Sequence, residues 1–422
     1  MDSMGERPIR LTVSDDLKRG RLSVFFRLLL ALPFLIWLGI WAIGAFVIAI
    51  FNWAITLVTG RPNEALHRFL ARFVRYATHV YAFLNLAAEP FPGATGRPGY
   101  PIDLEIDPPQ RQNRWTVAFR LVLALPAALL VAVLVGSNTG EYNSTYGGTG
   151  GVGLLVVAAI FGWFYAVARG RMPRGLRDAI AFAISYGAQF WAYLLVLTDR
   201  YPSSDPLTAI GPLPTRADPL SVETDDDLRR SRLTVFFRLL LAIPHLVWLT
   251  LWGLVALLVA VVNWIATLVA GTSPEALHRF LAAYLRYQLH VGAYVYLIGN
   301  PFPGFTGAVG SYPIELRVAG REPQNRWTVA FRLLLALPAL AIASIYASLA
   351  YVVAFLGWFA SLFTGRMPLG LRNAGALALR YMAQTNGYLF FVTGAYPYSG
   401  PCLATPPEAS APNPAAAPLL SE

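Results

Sequence analysis

Apolar and polar positions along this chain follow two patterns. Runs without any charged residue cover 28–60, 121–140, 239–274 and 333–365. A helix needs about 20 apolar residues to cross a hydrocarbon core of about 30 Å. The runs at 28–60 and 239–274 are therefore too long for one crossing and long enough for two short ones. Before each run stands a short period-two alternation: PIRLTV at 8–13, YPIDLEI at 100–106, PLSVET at 219–224 and YPIELRV at 312–318. Period two predicts strands with one buried face, here Ile102, Leu104 and Ile106 against Asp103 and Glu105. Isolated strands are not stable, so the four are expected to pair into one small cytoplasmic sheet. After each run comes a third segment, residues 62–89 in the first case. Its Arg68, Arg72 and Arg75 fall at i, i+4 and i+7, beside Leu66, Phe69, Leu70, Phe73 and Val74. That spacing predicts a basic amphipathic helix lying in the membrane interface. A third crossing by its more apolar second half, Tyr76 to Ala88, is the alternative.

One eight-residue phrase recurs four times: FRLLLALP at 26–33, FRLVLALP at 119–126, FRLLLAIP at 237–244 and FRLLLALP at 331–338. The chain is a tandem array in which one unit's physics serves for all four. Arg27 and Arg238, Asn52 and Asn263, His67 and His278, and Pro92 and Pro303 are each 211 apart, so the first half reappears almost without gaps. A weaker echo inside each half gives units at 1–99, 100–205, 206–311 and 312–400, then a Pro- and Ala-rich tail at 401–422 expected to be disordered. The second unit carries 17 extra residues that the fourth lacks.

Those extra residues include SNTGEYNSTYGGTGG at 137–151, a polar, Gly-rich stretch whose backbone groups would lack partners in lipid. If it lies in water, it marks the turn of a helical hairpin, and the other units should turn near Trp41 to Gly44, Trp252 to Val255 and Ile345 to Ser348. The expected architecture is mainly α and integral to a membrane. Each of its four units holds a short strand, a membrane hairpin and a basic amphipathic helix, giving eight crossings. The alternative is a single long helix in the units without the insertion.

Composition places the chain in a membrane: 56% of residues are apolar and 13% charged, with a mean hydropathy of +0.51. Nearly all of its positive charge is Arg, clustered at both ends of each apolar run: Arg19, Arg21 and Arg27 before the first, Arg61, Arg68, Arg72 and Arg75 after it. The positive-inside rule then puts both ends of each hairpin in the cytoplasm and the 137–151 insertion outside, in a multi-pass protein of the cell membrane whose units share one orientation. The net charge of +10 flanks apolar arms, so anionic lipid rather than nucleic acid is the expected partner. The opening ten residues hold no apolar signal core, and no cleaved signal peptide is expected.

The order of YPI strand, Arg-Trp, FRLLLALP, an Asn-Trp or Gly-Trp arm, Gly-Arg, and a basic helix ending in Phe-Pro or Tyr-Pro resembles the bacterial membrane family catalogued as domain of unknown function 4389. The likeness covers most of residues 8–400 in four copies, the third with Gly271-Thr272 in place of Gly-Arg. It implies a bacterial inner-membrane location and brings no activity, ligand or catalytic residue.

No enzyme motif is present. The five histidines show no metal-ligand spacing, and Cys402 is the only cysteine, so no catalytic residue, metal or cofactor is expected. Arg27, Arg120, Arg238 and Arg332 each stand six residues before a proline. They read either as sites for lipid headgroups or as anchors whose side chains snorkel to the interface, as do Arg68, Arg72 and Arg75. Trp53, Trp163, Trp264 and Trp358 each lie seven residues before a glycine and read as interfacial anchors or packing residues. Asn52 and Asn263 could line a polar path. The expected function is that of a non-enzymatic scaffold or lipid-interacting protein with a basic cytoplasmic face; the alternative is a passive channel or transporter between the units.

Overall fold

The computed structural model describes residues 8–136, 152–210 and 218–403. The inserted 137–151 stretch and the tail from 404 onward lie outside the described residues. The first unit runs β1 (Ile9–Val13), α1 (Arg21–Phe25), α2 (Arg27–Thr59) and α3 (Glu64–Leu84). The second runs β2 (Ile102–Ile106), α4 (Arg114–Ala118), α5 (Arg120–Leu123), α6 (Leu125–Leu134), α7 (Leu154–Arg169) and α8 (Arg174–Leu194). The third repeats the first as β3 (Leu220–Thr224), α9 (Arg232–Phe236), α10 (Arg238–Ala270) and α11 (Glu275–Val295). The fourth gives β4 (Ile314–Val318), α12 (Arg326–Ala330), α13 (Arg332–Thr364) and α14 (Leu369–Leu389).

Among the described residues the hairpins expected in units one, three and four are absent. The apolar runs of units one, three and four form single 33-residue helices, α2, α10 and α13, which pass unbroken through the expected turn positions and carry Pro33, Pro244 and Pro338 inside them. The residues from Trp41 to Gly44, Trp252 to Val255 and Ile345 to Ser348 are good helix formers or are tolerated in helices, and nothing there stops propagation. Each helix ends where a glycine can adopt positive φ: Gly60 at 74°, Gly271 at 76° and Gly365 at 71°. In unit two the helix is broken at Ala124, and α6 and α7, on the two sides of residues 137–151, both pack on α8 and α13. The count of eight crossings falls with the turns of units one, three and four. Among the described residues, three helices, α2, α10 and α13, are long and apolar enough to cross a membrane.

The strands pair within each half. β1 lies antiparallel to β2, with Leu11 opposite Leu104, and β3 antiparallel to β4, with Val222 opposite Leu316. Two two-stranded ribbons replace the single expected sheet, because each ribbon is covered by its own helices. α3 lies on β2 and α11 on β4. Arg75 donates through Nε to the Leu104 carbonyl at 2.6 Å and Arg286 to that of Leu316 at 3.3 Å, so arginines cap the strand acceptors.

Asp103 was expected on the open face of β2 and is buried instead. It lies 2.9 Å from His79 Nε2 and accepts from the backbone amides of Gly99 and Leu104, each at 2.8 Å. Burial pushes this carboxyl up, but the His79 contact and the two amides outweigh it and hold the carboxyl below the usual carboxylate range. A depressed folded-state pKa contributes stability above the unfolded value that is lost as pH falls through the folded one. Thermal melts of wild type and Asp103→Asn should therefore differ most at neutral pH and converge well below pH ~4; a constant gap across that range would contradict the assignment.

In each half α3 packs on α8, or α11 on α14, at the centre, while the long helices lie outside. Every residue of α8 from Arg177 to Phe190 is buried. By contrast, only 6% of the most apolar window of α2 is buried, against 39% for α13, which packs against α6 and α7 of the other half.

Candidate lipid-facing surface and its internal latches

The four arginines of the recurrent phrase face inward. Arg27, Arg120, Arg238 and Arg332 are 2%, 1%, 2% and 0% exposed. Each guanidinium stacks on an aromatic ring of the next long partner helix, 4.2 to 4.4 Å from the centroid: Phe83, Tyr193, Tyr294 and Tyr388. Arg120 donates to the carbonyls of Tyr193 and Thr198, Arg238 to those of Tyr294 and Gly299, and Arg332 to those of Tyr388 and Thr393. Arg27 pairs instead with the Glu89 carboxylate at 2.9 Å. These groups neutralise the carbonyl-rich C-terminal ends of α8, α11 and α14, where partial negative charge collects. Headgroup binding and snorkelling both require an outward side chain, so neither describes these four.

The turns that the arginines cap are strained in a repeated way. Leu86, Val196, Leu297 and Phe391 take positive φ of 63°, 61°, 64° and 61°, a conformation costly for side chains with a Cβ. Surrounding bonds hold it. Arg19 donates to the Leu86 carbonyl, Gln112 to that of Val196, Arg230 to that of Leu297 and Gln324 to that of Phe391.

The four tryptophans are latches. Trp53 Nε1 donates to the Val117 carbonyl at 2.9 Å, and Trp163 returns the bond to Val24 at 3.0 Å. The second half repeats it, Trp264 to Val329 at 3.1 Å and Trp358 to Val235 at 3.2 Å. Backbone exchanges beside them follow the same rule: Arg19 N to Gly170 O and Gln112 N to Gly60 O, each near 3 Å, then Arg230 to Gly365 and Gln324 to Gly271. Val24 lies just before α2, and from Arg27 to Trp53 that helix alone runs about 39 Å at 1.5 Å per residue. The arm of unit two thus starts at the far end of α2 and finishes at its near end. Paired units run antiparallel, which corrects the expected shared orientation and also excludes a hairpin in unit two, since a hairpin would bring its two ends together.

Asn52 and Asn263 are 0% exposed and donate to the carbonyls of Leu195 and Phe390. Their counterparts, Gly162 and Gly357, leave room for Met172 and Met367, which a Cβ would strike at 2.4 and 2.7 Å. The two asparagines thus join one unit of a pair to the other, whereas the glycine–methionine contacts lie within a unit. No sequence signal distinguishes this from a polar path, because an apolar helix with one amide reads the same either way.

Arg68 and Arg72 remain exposed while Arg75 turns in to β2. With Trp37, Ile40, Trp41 and Gly44, the first two line a groove beside the middle of α2. Along the outward face of that helix apolar side chains stay bare from end to end, with Leu28 at 75%, Ile43 at 72% and Val58 at 71%. Arg21 and Arg61, both exposed, stand at its two ends. Such an apolar band with arginines alongside suits acyl chains flanked by phosphate.

A cleft of about 970 Å³ opens between the halves, lined by Leu125, Pro126, Leu129, Tyr186, Arg200 and Phe355 among others. Within the described residues no group of three or more His, Cys, Asp or Glu side chains is placed to hold a metal. The profile described as Domain of unknown function (DUF4389) matches residues 21–94, 151–204, 232–306 and 326–399. No curated protein and no solved structure matches the chain.

Proposed function

The chain belongs to the family described as a domain of unknown function (DUF4389), and from that premise we propose that it is a non-enzymatic scaffold of the bacterial cell membrane that gathers anionic lipid. Both ends of each long helix lie on the cytoplasmic side in this reading. The observation that carries it is the bare apolar face of α2 with exposed Arg21, Arg61, Arg68 and Arg72 along its margin. Exposed guanidiniums next to acyl-chain territory meet phosphate diesters, which they bind through charge-assisted bonds.

Binding of a short-chain phosphatidylglycerol to the detergent-purified protein tests the reading, with the matching phosphatidylcholine as control. Each arginine near a headgroup is worth about 1 kcal/mol, so Arg68→Gln with Arg72→Gln should weaken phosphatidylglycerol binding roughly 30-fold and leave phosphatidylcholine unchanged. Equal affinity for both lipids in the unaltered protein would remove the proposal.

A further inference from the structure

We infer that α2 and its counterparts lie in the plane of one leaflet, held along their length by its headgroups, instead of crossing the bilayer. The inference rests on the lipid contact proposed above and says how that contact is arranged. Four observations converge on it.

The first is length. α2, α10 and α13 each have 33 residues, about 50 Å of helix, against a hydrocarbon core of about 30 Å. The apolar exposure of α2 does not fade toward its ends, as Leu28, Ile43 and Val58 show. A crossing helix of this length would leave a bare apolar turn or two in water at one end or both.

The second is charge. Arginines stand at both ends of each apolar run, Arg19 and Arg21 before α2 and Arg61 after it. An unbroken crossing helix would place one cluster on each side of the membrane, against the positive-inside bias. Without a hairpin turn, only a helix that stays in one leaflet keeps both clusters on the same side.

The third is the position of Arg68 and Arg72. They share a groove with Trp37, Ile40, Trp41 and Gly44, halfway along α2. In a helix standing upright, mid-length is mid-bilayer, where exposed arginines are strongly disfavoured. In a helix lying flat, mid-length is at headgroup level like the rest.

The fourth is the antiparallel pairing. Trp53 to Val117 and Trp163 to Val24 relate the two units of a half by an exchange of ends. Upright, such a pair would be inverted, with one unit's basic features facing each side. Lying flat, both units present the same face to the same leaflet, and the repeat keeps one chemistry on one side. A helix of this kind rests with its apolar face about 5–10 Å below the headgroup boundary.

The test measures depth at three exposed positions of α2. In a Cys402→Ser background, single cysteines replace Leu29, Ile43 and Val58, each carries the same fluorophore, and the full chain is reconstituted in phosphatidylcholine vesicles containing phosphatidylglycerol. Quenching by lipids nitroxide-labelled near the headgroup is compared with quenching by lipids labelled near the chain end. The flat arrangement gives the same shallow depth at all three positions, with the headgroup-proximal label quenching more strongly. A deep Ile43 between two shallow neighbours overturns the inference and leaves the lipid reading standing. Absence of quenching by either label removes both.

Discussion

Arg332→Met will destabilise the protein by roughly 3–5 kcal/mol, because it strands buried acceptors. The guanidinium, 0% exposed, donates to the carbonyls of Tyr388 and Thr393 at 2.8 and 2.9 Å and to Gln324 Oε1 at 2.8 Å. It also lies between the rings of Tyr388 and Phe391. Methionine keeps much of the volume and removes every donor. Each buried acceptor left unmade costs about 1–3 kcal/mol, and the end of α14 loses the positive charge opposite its dipole. Lysine will not rescue it, since one ammonium cannot reach both carbonyls and the amide while stacking on a ring. Arg27→Met supplies the comparison: its partner Glu89 has a side chain 31% exposed, so water can take over part of the lost contact and the loss will be smaller. Thermal denaturation in detergent micelles ranks the two, and equal shifts would show that the carbonyl contacts of Arg332 carry little.

Asp178→Ala will have an effect of similar size through a different route, the seam between the halves. Asp178 is 0% exposed, accepts from Arg177 Nε at 2.6 Å, and receives the hydroxyl of Tyr398 from the fourth unit. The corresponding position in α14 is Asn373, which donates to Asp205 from the second unit at 3.0 Å. The seam therefore places a carboxylate on one central helix and an amide on the other. Removing one member of a buried charged pair costs roughly 3–5 kcal/mol, because the remaining charge keeps its desolvation penalty. Asp178→Asn should cost less, since an amide oxygen can still accept from Tyr398. A melting temperature unchanged in Asp178→Ala would mean that the contacts of Asp178 carry little of the seam, leaving it to Asn373 with Asp205 and to the packing of α13 on α6 and α7.

The elements were legible in the chain wherever a local pattern decides them. Period two located all four strands, and the i, i+4, i+7 stripe located α3, with Asn63 capping it through bonds to the amides of Ala65 and Leu66. Two things escaped. The first is the fate of the apolar runs: a helix ends when something stops it, and the polar stretch at 137–151 reads as a turn for every unit, although nothing stops α2, α10 and α13 at the corresponding positions. The second is partnership between units. Trp53 and Val117 are brought together only by the fold, and an arginine at the edge of an apolar run reads the same whether it faces a phosphate or a neighbouring helix's carbonyls. Arg120, Arg238 and Arg332 turn to such carbonyls and Arg27 to the Glu89 carboxylate, while Arg68 and Arg72 stay exposed. The histidines of units one and three were similarly opaque: His79 and His290 sit over Asp103 and Glu315, a docking role visible only once the strands are in place.

The exchange of ends between neighbouring units also makes the pair, not the single unit, the self-sufficient module. A single unit would offer a tryptophan with no valine carbonyl to receive it and a glycine carbonyl with no amide. Three units would leave one in that state. The clean period of this chain, 211 residues, is accordingly the length of a pair rather than that of one unit. Within a pair the two members differ, with asparagine in one and glycine in the other at the corresponding position, while the pair itself recurs whole.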